Sequence, residues 1–165
     1  MIDLEATEER MRRKDQTLIP VQVKTDLGEK YQARHRKWQG IPSIAISSRG
    51  RLWSAFYTGG SDEGKDNFVI LSDDYGQTWS EPIAAVDPPG EVRAFDQCLW
   101  FDPEGRLWLF WAQSLGGFDG RAGVWASYCK DHEEKAEIWS SPIRTGDGVM
   151  LNKPIISTNG DWLFP

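Results

Sequence analysis

Ser72-Asp73-Asp74-Tyr75-Gly76-Gln77-Thr78-Trp79 reads Ser-x-Asp-x-Gly-x-Thr-Trp. It follows the apolar run Phe68-Val69-Ile70-Leu71 and precedes Ser80-Glu81-Pro82-Ile83. That placement predicts a hairpin between two strands. Ser and Asp side chains accept hydrogen bonds from turn amides, and Gly76 supplies the positive φ that such turns need. Thr78 and Trp79 then restart an extended segment, because β-branched and aromatic side chains suit a pleated surface.

Outward from this turn the chain repeats itself. Gly50-Arg51-Leu52-Trp53 returns as Gly105-Arg106-Leu107-Trp108, and Gly160-Asp161-Trp162-Leu163 is a weaker third copy. The three glycines are 55 residues apart. Trp79-Ser80-Glu81-Pro82 is matched by Trp139-Ser140-Ser141-Pro142. Such a period denotes stacked supersecondary units, and four short strands per unit fit a propeller blade. The expected strands are 41–47, 51–58, 67–72 and 78–84 in the first unit, and 97–102, 106–112, 123–129 and 138–143 in the second. A third unit starts at Lys153 and reaches Pro165 after two strands.

The octet resembles the Asp-box of the sialidase-like, or BNR-repeat, β-propellers, matching every defining position. In that family the box is a structural turn on the face away from the substrate, so it speaks for fold and not for reaction. The resemblance covers about residues 38–165. It implies an all-β fold: a partial β-propeller of about two and a half four-stranded blades, from a ring of six or seven. The corresponding division is an N-terminal arm with its entering strand (1–37), a blade at 41–84, a blade at 97–143 and a partial blade at 153–165. Two and a half blades do not close a ring, so the chain is expected to be a fragment, or else to complete its ring with other chains, and its uncovered strand edges invite self-association.

Composition narrows the function. A net charge of -6 argues against nucleic-acid binding, which needs clustered cations. The basic stretch Arg34-His35-Arg36-Lys37 is the local exception. Cys98 and Cys129 make no disulfide framework and read as small buried residues. His35 and His132 have no metal-ligand spacing, and neither a metal nor a cofactor is expected. No apolar run has membrane-spanning length, so no membrane partner is expected. The N-terminus lacks a basic-then-apolar leader pattern, which implies a cytoplasmic location as written, or a secreted or periplasmic one if a leader was removed. Residues 3–14 read as a short helix or a disordered arm, 17–23 as a β-prone stretch interrupted by Pro20, and 24–39 as polar loop.

Strands that alternate in direction sort the loops onto two ends of each unit. The end opposite the Asp-box receives the segments entering each unit (34–40, 87–96 and 147–153) and the second-to-third-strand loops (59–66 and 113–121). In sialidases the acid/base aspartate comes from the matching first-blade loop, so Asp62, Glu63 and Asp66 are the catalytic candidates by resemblance. A general acid working near neutral pH also needs partial burial. Arg93 and Asp96, where the second unit enters, and His35 and Arg36, ahead of the first, are substrate-binding candidates. Asp119 and Arg121 in the second unit's loop join them. An Arg there would clamp a sugar carboxylate through its planar fork; equally, Arg93 and Asp96 would pin the crossing between units. Gly40 stands where sialidases carry an Arg before the Ile-Pro pair, so the resemblance fixes no particular sugar. The implied function is an exo-acting glycoside hydrolase acting on a glycan. The alternatives are a lyase on the same fold and a non-catalytic glycan-binding or scaffold propeller, with Trp38, Trp100 and Trp111 as packing or sugar-stacking surfaces.

Overall fold

The computed structural model describes residues 3–59, 64–116 and 121–165. After a helix α1 (Leu4–Asp15), the chain forms two antiparallel four-stranded sheets and a short hairpin. The first sheet is β1 (Trp38–Ile46), β2 (Leu52–Gly59), β3 (Asp66–Ser72) and β4 (Ala84–Val86), in that spatial order. The second is β5 (Arg93–Phe101), β6 (Leu107–Ser114), β7 (Gly123–Cys129) and β8 (Ile143–Asp147), and β9 (Ile155–Ile156) pairs with β10 (Trp162–Leu163). The protein is all-β in its architecture.

The 55-residue repeat is visible bond by bond. At each first-to-second-strand turn the glycine donates to the residue three earlier: Gly50 N to Ser47 O (3.0 Å), Gly105 N to Asp102 O (2.9 Å) and Gly160 N to Ser157 O (3.0 Å). These glycines have φ of 89°, 79° and 86°, a left-handed conformation that a side chain would strain. Both first strands also bulge at the same place, with Ile41 (φ 50°) and Asp96 (φ 46°) breaking the ladder between Gly40 and Ser43 and between Phe95 and Cys98.

The octet folds as a side-chain-stapled turn. Ser72 Oγ accepts from Gly76 N at 2.9 Å, and Asp74 accepts from Thr78 N (2.9 Å) and Thr78 Oγ1 (2.6 Å). Those bonds favour the carboxylate and hold Asp74 down at about 2. The fourth strands begin later than their sequence suggests. Ser80 N donates to Leu71 O at 2.9 Å while Ser80 Oγ accepts from Leu71 N at 3.1 Å. Ser140 does the same with Tyr128, at 2.9 and 3.0 Å. One serine thus supplies both halves of a ladder step, its hydroxyl standing in for a carbonyl. Pro82 and Pro142, two residues on, have no N–H to continue the ladder. Residues 17–23 form no strand either: Thr17 O and Ile19 O are spent on Gln113 Nε2, both at 2.8 Å, and Val21 packs into the core.

The layers stack with one orientation. Trp53, Ala55 and Val69 on the back of the first sheet bury against Leu99, Leu107, Leu109 and Trp111 on the front of the second. The second sheet's back, carrying Trp108 and Phe110, is covered by the β9–β10 hairpin, with Trp162 and Phe164 at 5.3 and 5.8 Å. The counterparts of Leu99 and Leu107 one interval earlier, Ile44 and Leu52, lie on the first sheet's front, where Ile44 is 51% exposed. Part of that front is covered by Tyr31 and Leu27, which pack on Phe56 and Phe68. Arg51 joins the two sheets at the end of the Ser72–Trp79 turn: it pairs with Asp73 at 2.6 and 3.0 Å and donates to His132 O (3.0 Å) and Glu134 O (2.9 Å). Cys98 and Cys129 are free and buried, and burial pushes their thiols up to about 11 and about 12. Among the described residues no helix is long and apolar enough to cross a membrane.

Asp102 anchors the second copy of the glycine turn. Its fully buried carboxylate accepts from Glu104 N, Arg106 N, Arg106 Nε and Trp108 Nε1 at 2.6–2.9 Å. These bonds outweigh the cost of burial and hold its pKa below the usual value. Asp102→Asn turns one acceptor oxygen into a donor facing donors. It should cost about 2–4 kcal/mol in denaturant unfolding at pH 7. The depressed pKa gives stability present above about pH 4 and lost on acidification, so the deficit should shrink as pH falls; a constant deficit from pH 7 to pH 3 would contradict this account.

Candidate functional site

The pairing of Asn67 with Val86 sets Asp66, at the start of β3, beside Asp87, just past β4. Both lie on the first sheet's front, alternating with Phe68 and Ala85. The segment before β1 closes over them. Lys24 bridges to Ala85 through paired backbone bonds of 2.8 and 2.9 Å, adding one rung to the β4 edge. Tyr31 Oη donates to Asp87 Oδ2 at 2.5 Å, Lys30 Nζ lies at 2.9 Å and Lys24 Nζ at 3.1 Å from the same oxygen. Lys65 Nζ is 3.6 Å from Asp87 Oδ1 and donates to Pro88 O at 2.5 Å.

This arrangement drives the two carboxyls apart. Asp87 has a side chain only 9% exposed, yet Tyr31, Lys30 and Lys24 hold it as the carboxylate and pull its pKa down. Burial, then the charge of Asp87 and a hydrogen bond to it, push Asp66 up to about 6. Lys65 and Lys30 oppose that rise without cancelling it. Asp66 is therefore the member that carries the proton, and its Oδ1 is buried with no partner among the described residues. It lines a pocket of about 280 Å³ with Lys30, His35, Arg36, Thr58, Gly64, Lys65 and Phe68. The pair has the elements of an acid that releases a proton close to neutrality.

Three of the residues singled out from sequence thus meet in one pocket: Asp66, His35 and Arg36. His35 Nε2 accepts from Arg34 Nε at 3.2 Å and lies 3.7 Å from Glu29. Arg36 lies over the Phe56 ring at 5.2 Å; burial lowers its pKa, and its Nη1 is buried with no partner among the described residues. Arg93 is next door: its Nη2 donates to Gly64 O at 3.5 Å, and its guanidinium sits 5.3 Å from the Phe95 ring. Asp96 lines a separate cleft of about 490 Å³, where β1 and β5 bulge towards Met150–Lys153. There Gln97 ties the two bulges, donating to Ile41 O and Ala55 O, and Lys153 Nζ donates to Ile44 O at 2.6 Å. Arg121 is elsewhere, paired with Asp15 of α1 and near Met11. Asp62, Glu63 and Asp119 lie outside the described residues.

Asp87, Tyr31, Lys24 and Lys30 were not among the sequence candidates. The signal for Asp87 was the acid that follows Ala84-Ala85-Val86, opposite the acid that opens β3. Trp111 is fully buried and serves packing, whereas Trp100, on Trp162 at 4.9 Å, and Trp38, on Tyr57 at 5.4 Å, are half-buried. Among the described residues no three His, Cys, Asp or Glu side chains converge as metal ligands.

No family model matches the chain, and no curated protein matches it. A crystal structure of a protein of unknown function from Dyadobacter fermentans is similar, with a TM-score of 0.50 and 16% identity over 70% of this chain. The match spans 30% of that protein's length. The likeness is one of fold.

The raised pKa of Asp66 has a thermodynamic sign. The native state holds this proton between the unfolded carboxyl value of about 4 and the folded value of about 6, so stability falls as pH rises through that window. Asp66→Asn keeps a donor towards Asp87 and removes the titration. The variant should lose the decline in melting temperature between about pH 4 and 6 and melt no lower than the parent at pH 7.5. A parent-like slope in the variant would show that the proton resides elsewhere.

Proposed function

We propose that this chain is the front part of a sialidase-like propeller and that the protein carrying it is a glycoside hydrolase, with Asp66 as general acid. The repeated four-stranded meanders, their single stacking direction and the stapled Asp-box turn support the propeller. The observation that carries the hydrolase reading is positional. The near-neutral carboxyl of Asp66 and the cleft lined by Asp96 and Gln97 share one end of the sheets, and the Asp74 turn occupies the other. Asp66 would protonate the leaving glycosidic oxygen, the step that both stereochemical routes require. Arg93, held near Gly64 between pocket and cleft, would orient the sugar, and Asp96 would contact it from the cleft. The second carboxylate, or a Tyr activated by Glu, remains to be found in the remainder of the ring.

The test is hydrolysis of a panel of aryl glycosides and uronides by the longest natural form of the protein. Asp66→Asn should lower kcat by about 10²–10⁴-fold and leave the melting temperature at pH 7.5 intact. Restored turnover with substrates whose phenol leaving group needs no proton would mark the lost function as the acid. Loss in Asp62→Asn or Glu63→Gln, with Asp66→Asn unaffected, would move the acid within the same loop; turnover that survives all three removes this reading.

A further inference from the structure

The hydrolase reading names Asp66 but leaves open what keeps its proton in place, and the answer lies in a part of the chain outside the repeats. We propose that Asp87 is the positioning residue for Asp66, and that Lys24, Lys30 and Tyr31 of the N-terminal segment hold Asp87 as a fixed carboxylate for that task. The inference rests on the assignment of Asp66 as the acid and is tested separately from it.

Geometry carries the argument. Two acids at the paired ends of neighbouring strands share the front of one sheet, and two carboxylates so placed cannot both ionise cheaply. Which one yields is decided by partners. Asp87 Oδ2 takes a phenol hydrogen at 2.5 Å and two ammonium groups at 2.9 and 3.1 Å, whereas Asp66 Oδ1 is buried with no partner among the described residues. All three donors come from residues 24–31, which have no counterpart in the second unit. That segment is docked by more than these charges: Lys24 adds its backbone rung to β4, and Tyr31 packs edge-on against Phe68 at 5.5 Å. The other charged and titratable groups around Asp66 are Lys65 on its own loop and His35 and Arg36 across the pocket. The cations favour its ionised form, so it is burial and Asp87 that favour the proton. The N-terminal segment therefore acts on the acid through Asp87: it seats the charge that keeps the acid protonated.

Carboxyl carbon NMR titration of the chain reads both residues directly, whether or not any glycoside is hydrolysed. In the parent, Asp66 should titrate near pH 6 and Asp87 should stay ionised through that window. Asp87→Asn should lower the Asp66 midpoint clearly below 6, with burial holding it above the ordinary aspartate value of about 4. A midpoint that stays near 6 overturns the proposal, because burial alone would then suffice. Tyr31→Phe, which keeps the ring packing, should spread the proton over both acids, so that Asp87 begins to titrate together with Asp66. An Asp87 signal unchanged both in Tyr31→Phe and in the triple variant that adds Lys24→Met and Lys30→Met removes the N-terminal segment from the mechanism, and these variants decide the matter if Asp87→Asn does not fold. In the active protein, Asp87→Asn should move the alkaline limb of the kcat/KM profile to lower pH; a uniform loss at every pH would mean a merely structural role. Absence of hydrolysis in the parent would sink the hydrolase reading and leave the NMR titration standing as the judge of this one.

Discussion

The structure depends on one buried contact, the back of the first sheet against the front of the second. Trp53 and Trp111 are fully buried there with Leu99, Leu107 and Leu109, each such side chain contributing about 1.5–3 kcal/mol through its removal from water. The contact requires each sheet to present the same residues at the same height. The left-handed glycine turns set that height, because they begin every second strand at a fixed offset from the first. Arg51 then fixes the angle at one end, binding the carboxylate of Asp73 in one sheet and two loop carbonyls of the next. At the opposite end the bulged first strands are tied by Gln97, which sets their spacing beside the cleft.

The division of labour between the two ends follows from that frame. At the Asp-box end the carboxylates of Asp74 and Asp102 are saturated with donors, which suits them for holding turns and makes them poor acids. At the other end Asp66 is short of donors and close to another acid. Identical chemical groups thus differ in role because one kind sits in a turn rich in free amides and the other at a strand start facing a carboxylate.

Much of this was legible in the sequence. Gly50, Gly105 and Gly160 announced the interval, and the octet announced a turn whose serine, aspartate and threonine make the expected bonds. Asp66, His35 and Arg36 were singled out and do converge. The late start of β4 and β8 was hidden because Ser80 and Ser140 replace a carbonyl with a hydroxyl, a substitution that no propensity registers. Asp87 opened the entering segment 87–96 but was not singled out within it: its role shows only once a tyrosine and two lysines, 56 to 63 residues away, are seen to bind it. Arg121 read as a ligand-facing cation, but α1 supplies Asp15 as its partner, a tertiary contact without local signature. Thr17 to Val23 had the composition of a strand, yet Gln113 claims its carbonyls.

The single stacking direction has a consequence for growth. Each layer offers a front unlike its back, so the contact already made between the two sheets can be repeated only by setting a front against a back. A two-fold symmetric pair would set Ile44 and Ile46 against their own copies, a different contact from the one between the two sheets. A further layer that repeated the contact between the two sheets would add head to tail, and such a series either curves round to meet its beginning or extends without limit. In such a series the rotation between successive sheets would decide between closure and open growth.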